Sequence, residues 1–286
     1  MKFAIQHITN FYLYSSLHIG ICSVYLYLFT VSRFDLRVDF KYALFMLFST
    51  IFVYSMHRLI GIKKVKEFAH KGRFAIIEKF RIHILIYAVT SFVSCCYLFY
   101  NFEFTRVILI SGAGIISILY TIPIFGKAMR LRDFSFIKIF LIGIVWSYVS
   151  GALPMYEQGV PIQAILVYFF EMLLFIIAIT IPFDIRDFSV DTANKVQTIP
   201  TLIGRKPAIK LALILIMLTV LIDFGLTLQY NHNYGIIGFI CIAVTCILSA
   251  LAIRHIQDKE SDYYYSGLLD TTIMFPYSLY VLITIF

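Results

Sequence analysis

Apolar residues run almost without interruption in nine stretches separated by short polar connections. The stretches are Phe11–Val31, Tyr42–Ile62, Ile82–Tyr100, Val107–Phe125, Phe134–Leu153, Ile162–Ile181, Ile209–Leu228, Gly235–Ile253 and Gly267–Phe286. Each is close to the ~20 residues that a helix needs to cross the hydrocarbon core of a bilayer. The pattern predicts an all-α, polytopic membrane protein of nine transmembrane helices, organised as one membrane-embedded domain over 1–286. The first stretch has no small-residue cleavage site and only Lys2 before it, so it reads as an uncleaved span rather than a signal peptide.

Charge in the connections predicts orientation. Twenty of the 24 Lys and Arg residues fall before the first span, in the loops after the second, fourth, sixth and eighth, or in the span ends adjoining those loops (Arg58, Lys138 and Lys210); the other four are Arg33, Arg37, Lys41 and Arg106. Cytoplasmic loops carry an excess of Lys and Arg. The N-terminus is therefore expected in the cytoplasm and the C-terminus on the far side, with a bacterial cytoplasmic membrane as the expected location. Composition agrees: 60% of residues are hydrophobic and 14% charged, against roughly 45–50% and 25% in soluble domains. The net charge of +8 belongs to lipid-facing loops in so apolar a chain, and no nucleic-acid partner is expected. The five cysteines lie inside apolar stretches with neither metal-ligand nor disulfide-framework spacing.

Two spans turn polar near their ends, and their shared parity puts both ends on the cytoplasmic face. The second ends in Tyr54, Ser55, His57, Arg58 and Gly61; the sixth runs into Asp184, Asp187 and Asp191. On a continuous helix these aspartates, at i, i+3 and i+7, fall within an arc of about 60°. Three crowded carboxylates repel one another unless a hard divalent cation compensates, and Mg²⁺ held by one or two carboxylates plus substrate phosphates is a common solution. A solvated helix end partnered by Arg186 and Lys195 is the alternative on spacing alone.

The segment DIRDFSVDTANKVQTIPTLIGRKPA resembles the second acidic motif of the UbiA superfamily of intramembrane prenyltransferases. Asp187 and Asp191 match the D-x-x-x-D pair, and Asp184 the acid or amide often found three residues earlier. Thr198, Ile199, Pro200 and Gly204 match the turn that follows. More loosely, Tyr120-Thr-Ile-Pro123 and Lys127 are similar to the family's Y-x-x-P…K loop, and Trp146 lies where the family often has a tryptophan. The resemblance implies a UbiA-like bundle in which Asp187 and Asp191 are catalytic and Asp184, Asp187 and Asp191 bind Mg²⁺. It implies transfer of an isoprenyl group from an isoprenyl diphosphate to an aromatic or other lipophilic acceptor. Tyr54, His57, Arg58, Tyr120, Lys127 and Arg186 are the expected substrate-binding residues.

The first acidic motif of the family, N-D-x-x-D, is not intact. Ser55 stands at the asparagine position and Met56 and Leu59 where the acids would be, while Lys195 replaces a usual glycine. His57 and Arg58 offer hydrogen-bond donors suited to phosphate oxygens, which leads to the expectation of a single Mg²⁺ on Asp187 and Asp191; Arg58 snorkelling to headgroups is the alternative. A non-enzymatic binding or transport protein of the same fold is the competing functional expectation. Glu171 and Asp270, though charged and within spans, receive no role in the site. Sequence assigns no prenyl length, acceptor or oligomeric state.

Overall fold

The computed structural model describes residues 2–64, 72–122, 131–134, 137–193, 196–229, 235–256 and 261–285. Among them every regular element is helical. Two compact units emerge, one of residues 1–24 and 39–130 and the other of residues 25–38 and 131–286.

The first unit contains α1 (Lys2–Tyr14), the beginning of α2 (Leu17–Arg33), α3 (Phe40–Lys64), α4 (Gly72–Lys79), α5 (Arg81–Tyr100) and α6 (Phe104–Thr121). Ser16 adopts φ +65° between α1 and α2, and the two helices meet at 59°. The expected first span is thus bent at its polar Ser15-Ser16 pair. At Gly20 a Cβ would lie 2.9 Å from Ile51 Cγ1 and 3.3 Å from the Leu47 carbonyl oxygen, so the absence of a side chain lets α2 approach α3. Ser23 Oγ donates to the Met46 carbonyl at 3.3 Å, and Ser55 Oγ to Ser16 Oγ at 3.2 Å. On α5, Ile84, Ala88, Ser91 and Leu98 are buried, while Ile82, Leu85, Ile86, Val89, Val93 and Tyr97 face outward. An exposed apolar stripe of this length is at home against lipid chains.

The second unit contains the end of α2, α7 (Ile137–Ser147), a π-helical turn Tyr148–Ala152, α8 (Leu153–Glu157), α9 (Ile162–Arg186), α10 (Phe188–Ala193), α11 (Ile199–Ile203), α12 (Arg205–Gln229), α13 (Gly235–Arg254), a second π-helical turn Tyr264–Leu269 and α14 (Phe275–Ile285). α9 is the central helix, packed against α7, α12 and the first π turn. Glycine makes the α7 side of that packing: a Cβ on Gly143 would lie 2.7 Å from Leu173 Cδ1, and one on Gly151 would lie 2.5 Å from Met172 Sδ.

Seven helices among the described residues are long and apolar enough to cross a membrane, or eight when the bent α1–α2 pair is one span. The protein is therefore read as an integral, multi-pass membrane protein. The expected count of nine is not reached by length and composition, because the stretch 267–286 is divided between the second π turn and the eleven-residue α14.

Candidate functional site

The acidic cluster is built where α9 ends. Pro182 removes a backbone donor from the last turns of this helix, and Asp187, at φ −85° and ψ 3°, closes it. Its N–H still reaches the Phe183 carbonyl at 3.0 Å, and Asp191 N–H reaches the Asp187 carbonyl at 2.8 Å. The three aspartates thus stand on two helical segments that join at Asp187, not on the one uninterrupted helix assumed from spacing.

Thr198, Pro200 and Gly204 form the next part of the site. Thr198 caps α11 in a capping box: its N–H donates to Thr201 Oγ1 at 2.7 Å, while its own hydroxyl side chain serves the first turn. Pro200 occupies the first turn, where its missing N–H costs nothing. Gly204 ends α11 at φ +87°, a conformation that favours glycine. This turn lies beside the carboxylates: Arg132, Phe134, Lys138, Ile139, Asp184 and 196–199 line one small cavity.

Each carboxylate has a different partner. Asp184, 2% exposed, is ion-paired with Lys138 Nζ from α7. Asp187 Oδ1 accepts from Arg186 Nε at 2.9 Å. Arg186 also donates to Asp262 Oδ1 at 2.6 Å and stacks over Phe183 and Tyr265, at 5.0 and 5.4 Å to the ring centroids. Asp191 differs: its Oδ2 is buried without a hydrogen-bond partner. Burial pushes its carboxyl up to about 6; the cations Lys138 and Arg132 pull against this, while Asp187 and Asp184 add like charge. Lys138, Arg132 and Asp262 were not singled out by sequence reasoning. Each lies 46 or more residues from its partner in the chain, and their only sequence signal was membership of polar loops or loop edges.

An orphaned, buried carboxylate oxygen surrounded by two further acids fits a hard cation. Among the described residues no three His, Cys, Asp or Glu side chains form a group able to hold a metal alone. The expected three-carboxylate set of Asp184, Asp187 and Asp191 is therefore not assembled as a metal-holding group; Mg²⁺ commonly takes one or two carboxylates and fills its other positions with water and phosphate oxygens. Lys138 and Arg132 supply positive charge beside the acids.

In the first unit, the second-span residues form a group of their own. The His57 ring lies 6.1 Å from that of Tyr120 on α6, and the Arg58 guanidinium carbon is 5.6 Å from the Tyr14 ring centroid on α1. Tyr54 lies one turn before them on α3. Arg58 is thus packed on an aromatic face. Lys127, Pro123 and Lys195 lie outside the described residues.

The UbiA prenyltransferase family model matches residues 80–275. No curated relative matches the sequence. Among solved structures, a UbiA homologue from Archaeoglobus fulgidus bound to GPP and Mg²⁺ aligns with a TM-score of 0.64 at 15% identity, covering 96% of this chain and 99% of that one. An apo UbiA homologue from Aeropyrum pernix K1 gives 0.63 at 14% identity, covering 94% and 98%. A digeranylgeranylglyceryl phosphate synthase structure gives 0.54 at 18% identity, covering 96% of each chain. At these identities the structural matches carry the fold.

Proposed function

The chain belongs to the UbiA prenyltransferase family, and from that premise we propose that it transfers an isoprenyl group from an isoprenyl diphosphate to a lipophilic acceptor at the cytoplasmic leaflet, as one domain over 1–286. The observation that carries the reading is the buried, unpartnered oxygen of Asp191 among neighbouring acids and cations. The Archaeoglobus homologue was solved with GPP and Mg²⁺, and again with DMAPP and Mg²⁺, which supports the same ligand chemistry here.

In this reading Asp187 and Asp191 would hold Mg²⁺, and Asp184, paired with Lys138, would become a ligand only by exchanging that partner. When bound, the ion neutralises charge on the diphosphate as it departs. Lys138 and Arg132 add fixed positive charge for the same anion, already positioned before the bond breaks. Arg186, tied between Asp187 and Asp262, orients the Asp187 carboxylate. Tyr54, His57, Arg58, Tyr120 and Lys127 are proposed substrate contacts on the strength of their sequence pattern. As the C–O bond of the allylic diphosphate lengthens, positive charge develops on the prenyl carbon, and apolar helix surfaces protect it from water until the acceptor's electron pair arrives. The acceptor then loses a proton, and diphosphate leaves.

A second reading, a non-catalytic binder of the same fold, draws support from the ion pairs that already satisfy Asp184 and Asp187 and from the missing acids of the second span. Turnover separates the two. Purified protein in lipid, given labelled isoprenyl diphosphates of several lengths with a lipophilic aromatic acceptor, should release diphosphate with Mg²⁺ and not with chelator. Asp187→Ala and Asp191→Ala should abolish the release. Metal-dependent binding without release would leave the binder, and binding that ignores both metal and mutations would remove both readings.

A further inference from the structure

The second unit contains a buried charge group that the proposed reaction does not use. Arg33 from α2, Glu171 from α9 and Asp223 from α12 have side chains only 3%, 1% and 0% exposed. Arg33 Nη1 lies 3.7 Å from Glu171 Oε1, and Nη2 is ion-paired with Asp223 Oδ1. Phe29, Phe34 and Tyr168 surround the guanidinium, with ring centroids 6.0, 5.8 and 5.6 Å from its central carbon. One cation therefore faces two carboxylates within apolar helices, and the fully ionised group carries a net charge of −1. Ionisable residues within a membrane are costly, and by default they mark ion or proton sites.

The group also has unused oxygens. Glu171 and Asp223 approach each other closely enough to hydrogen-bond when one of them carries a proton; apart from that contact Glu171 Oε2 and Asp223 Oδ2 are buried with no donor facing them, and the hydroxyls of Thr245 and Ser249 on α13 are likewise buried without a partner. Several helical threonines of this unit return their hydroxyls to the carbonyl four residues back, as Thr180 does to Ile176 at 2.6 Å, Thr219 to Leu215 at 3.0 Å and Thr284 to Tyr280 at 2.8 Å, although Thr227 on α12 is also buried without a partner. Thr245 and Ser249 do not, although both are fully buried. α13 presents them on the face that meets the charges. A Cβ on Gly238 would lie 3.2 Å from Arg33 Cγ, and Gly238, Thr245 and Ser249 fall within about 40° on the helix. Cys241 and Cys246 flank this stripe, within electrostatic reach of Arg33, Asp223 and Glu171.

We propose that Glu171, Asp223 and Thr245 form an intramembrane site for one exchangeable monovalent cation, a sodium ion or a proton, which completes the neutralisation that Arg33 begins. Both occupants share one chemistry, a hard unit charge accepted by carboxylate and hydroxyl oxygens. The charged and titratable groups that interact with Glu171 are Arg33 from α2, Tyr168 on its own helix, Asp223 from α12 and Cys246 from α13. The group shares no residue with the Asp184–Asp187–Asp191 cluster, so failure of the prenyltransferase reading leaves it standing.

The test is thermal unfolding of the full chain in lipid nanodiscs, first with sodium replaced by N-methylglucamine at constant ionic strength and pH, then across pH without sodium in an Asp191→Asn background, which removes the separate titration of that carboxyl. A ligand that binds only the folded state raises Tm with its concentration. A sodium occupant gives wild-type Tm rising with the logarithm of sodium concentration. A proton occupant gives no sodium response, and Tm falls as pH rises through the folded-state pKa of the site. In either arm Glu171→Gln, which leaves one carboxylate for one guanidinium, loses the response and equals or exceeds wild type when the occupant is absent. Should that variant fail to fold, Thr245→Val must shift the sodium or pH midpoint by about tenfold in concentration. A wild type indifferent to both cations, a Glu171→Gln variant that keeps the response, or an unshifted Thr245→Val midpoint would overturn the proposal.

Discussion

Lys138→Met tests the electrostatics of the acidic cluster at its most buried member. The substitution keeps an apolar stem of similar length and removes the ammonium group paired with Asp184, whose side chain is only 3% exposed. Breaking a buried pair from one side costs roughly 3–5 kcal/mol, because the remaining charge is left uncompensated. Lys138 itself is 12% exposed and the cavity beside it is lined by Gln197 and Thr198, so about 3 kcal/mol, the low end, is expected. At roughly 2 °C per kcal/mol for a long chain, Tm should fall by about 6 °C in lipid or detergent. Asp184→Asn added to Lys138→Met should recover most of the loss, since an amide needs no counter-charge; the double-mutant cycle isolates the pair. An unchanged Tm for Lys138→Met, or a double variant as unstable as the single one, would refute the reasoning.

Other parts of the site give separate readouts. Arg58→Ala should weaken isoprenyl diphosphate binding by about 1.5–3 kcal/mol, the range for a hydrogen bond to a charged group, as measured by titration in nanodiscs; unchanged affinity returns Arg58 to packing on Tyr14. The Asp191 carboxyl, pushed up to about 6 by burial first of all, should make Mg²⁺ affinity fall as pH drops through about 6, because proton and metal compete for one oxygen. The same shift means that the folded state holds this proton more tightly than the unfolded chain, so metal-free stability is greatest below the ordinary carboxylate range and declines as pH rises through about 6. Asp191→Asn should flatten both dependences. Thr198→Ala removes the cap of α11 and should cost about 1 kcal/mol, read as a lowered Tm.

The apolar runs made the membrane class legible, and six of the expected spans recur as single helices with ends shifted by a few residues: α3, α5, α6, α9, α12 and α13. Their long continuous hydrophobicity leaves no competing structure in a bilayer. Three spans were less simple than the pattern suggested. Ser16 bends the first, π turns interrupt the fifth and the last, and none of these local hydrogen-bond shifts changes hydropathy. The turn after the acidic motif was legible because Thr198, Pro200 and Gly204 each have a backbone reason for their position. The partners Lys138 and Asp262 were not, since ion pairing over 46 and 76 residues leaves no trace in local spacing. Glu171 was noticed as an intramembrane acid, yet its relation to Arg33 and Asp223 depends on packing between three helices.

The central claim, that Asp191 binds the metal which holds the diphosphate, is tested most directly by isothermal titration of Mg²⁺ into the nanodisc-embedded protein with an isoprenyl diphosphate present. Wild type should bind the ion saturably and release protons near pH 6, and Asp191→Asn should lose both the heat and the proton release while its Tm stays near or above that of the metal-free wild type. Mg²⁺ binding of equal affinity in the Asp191→Asn variant would contradict it.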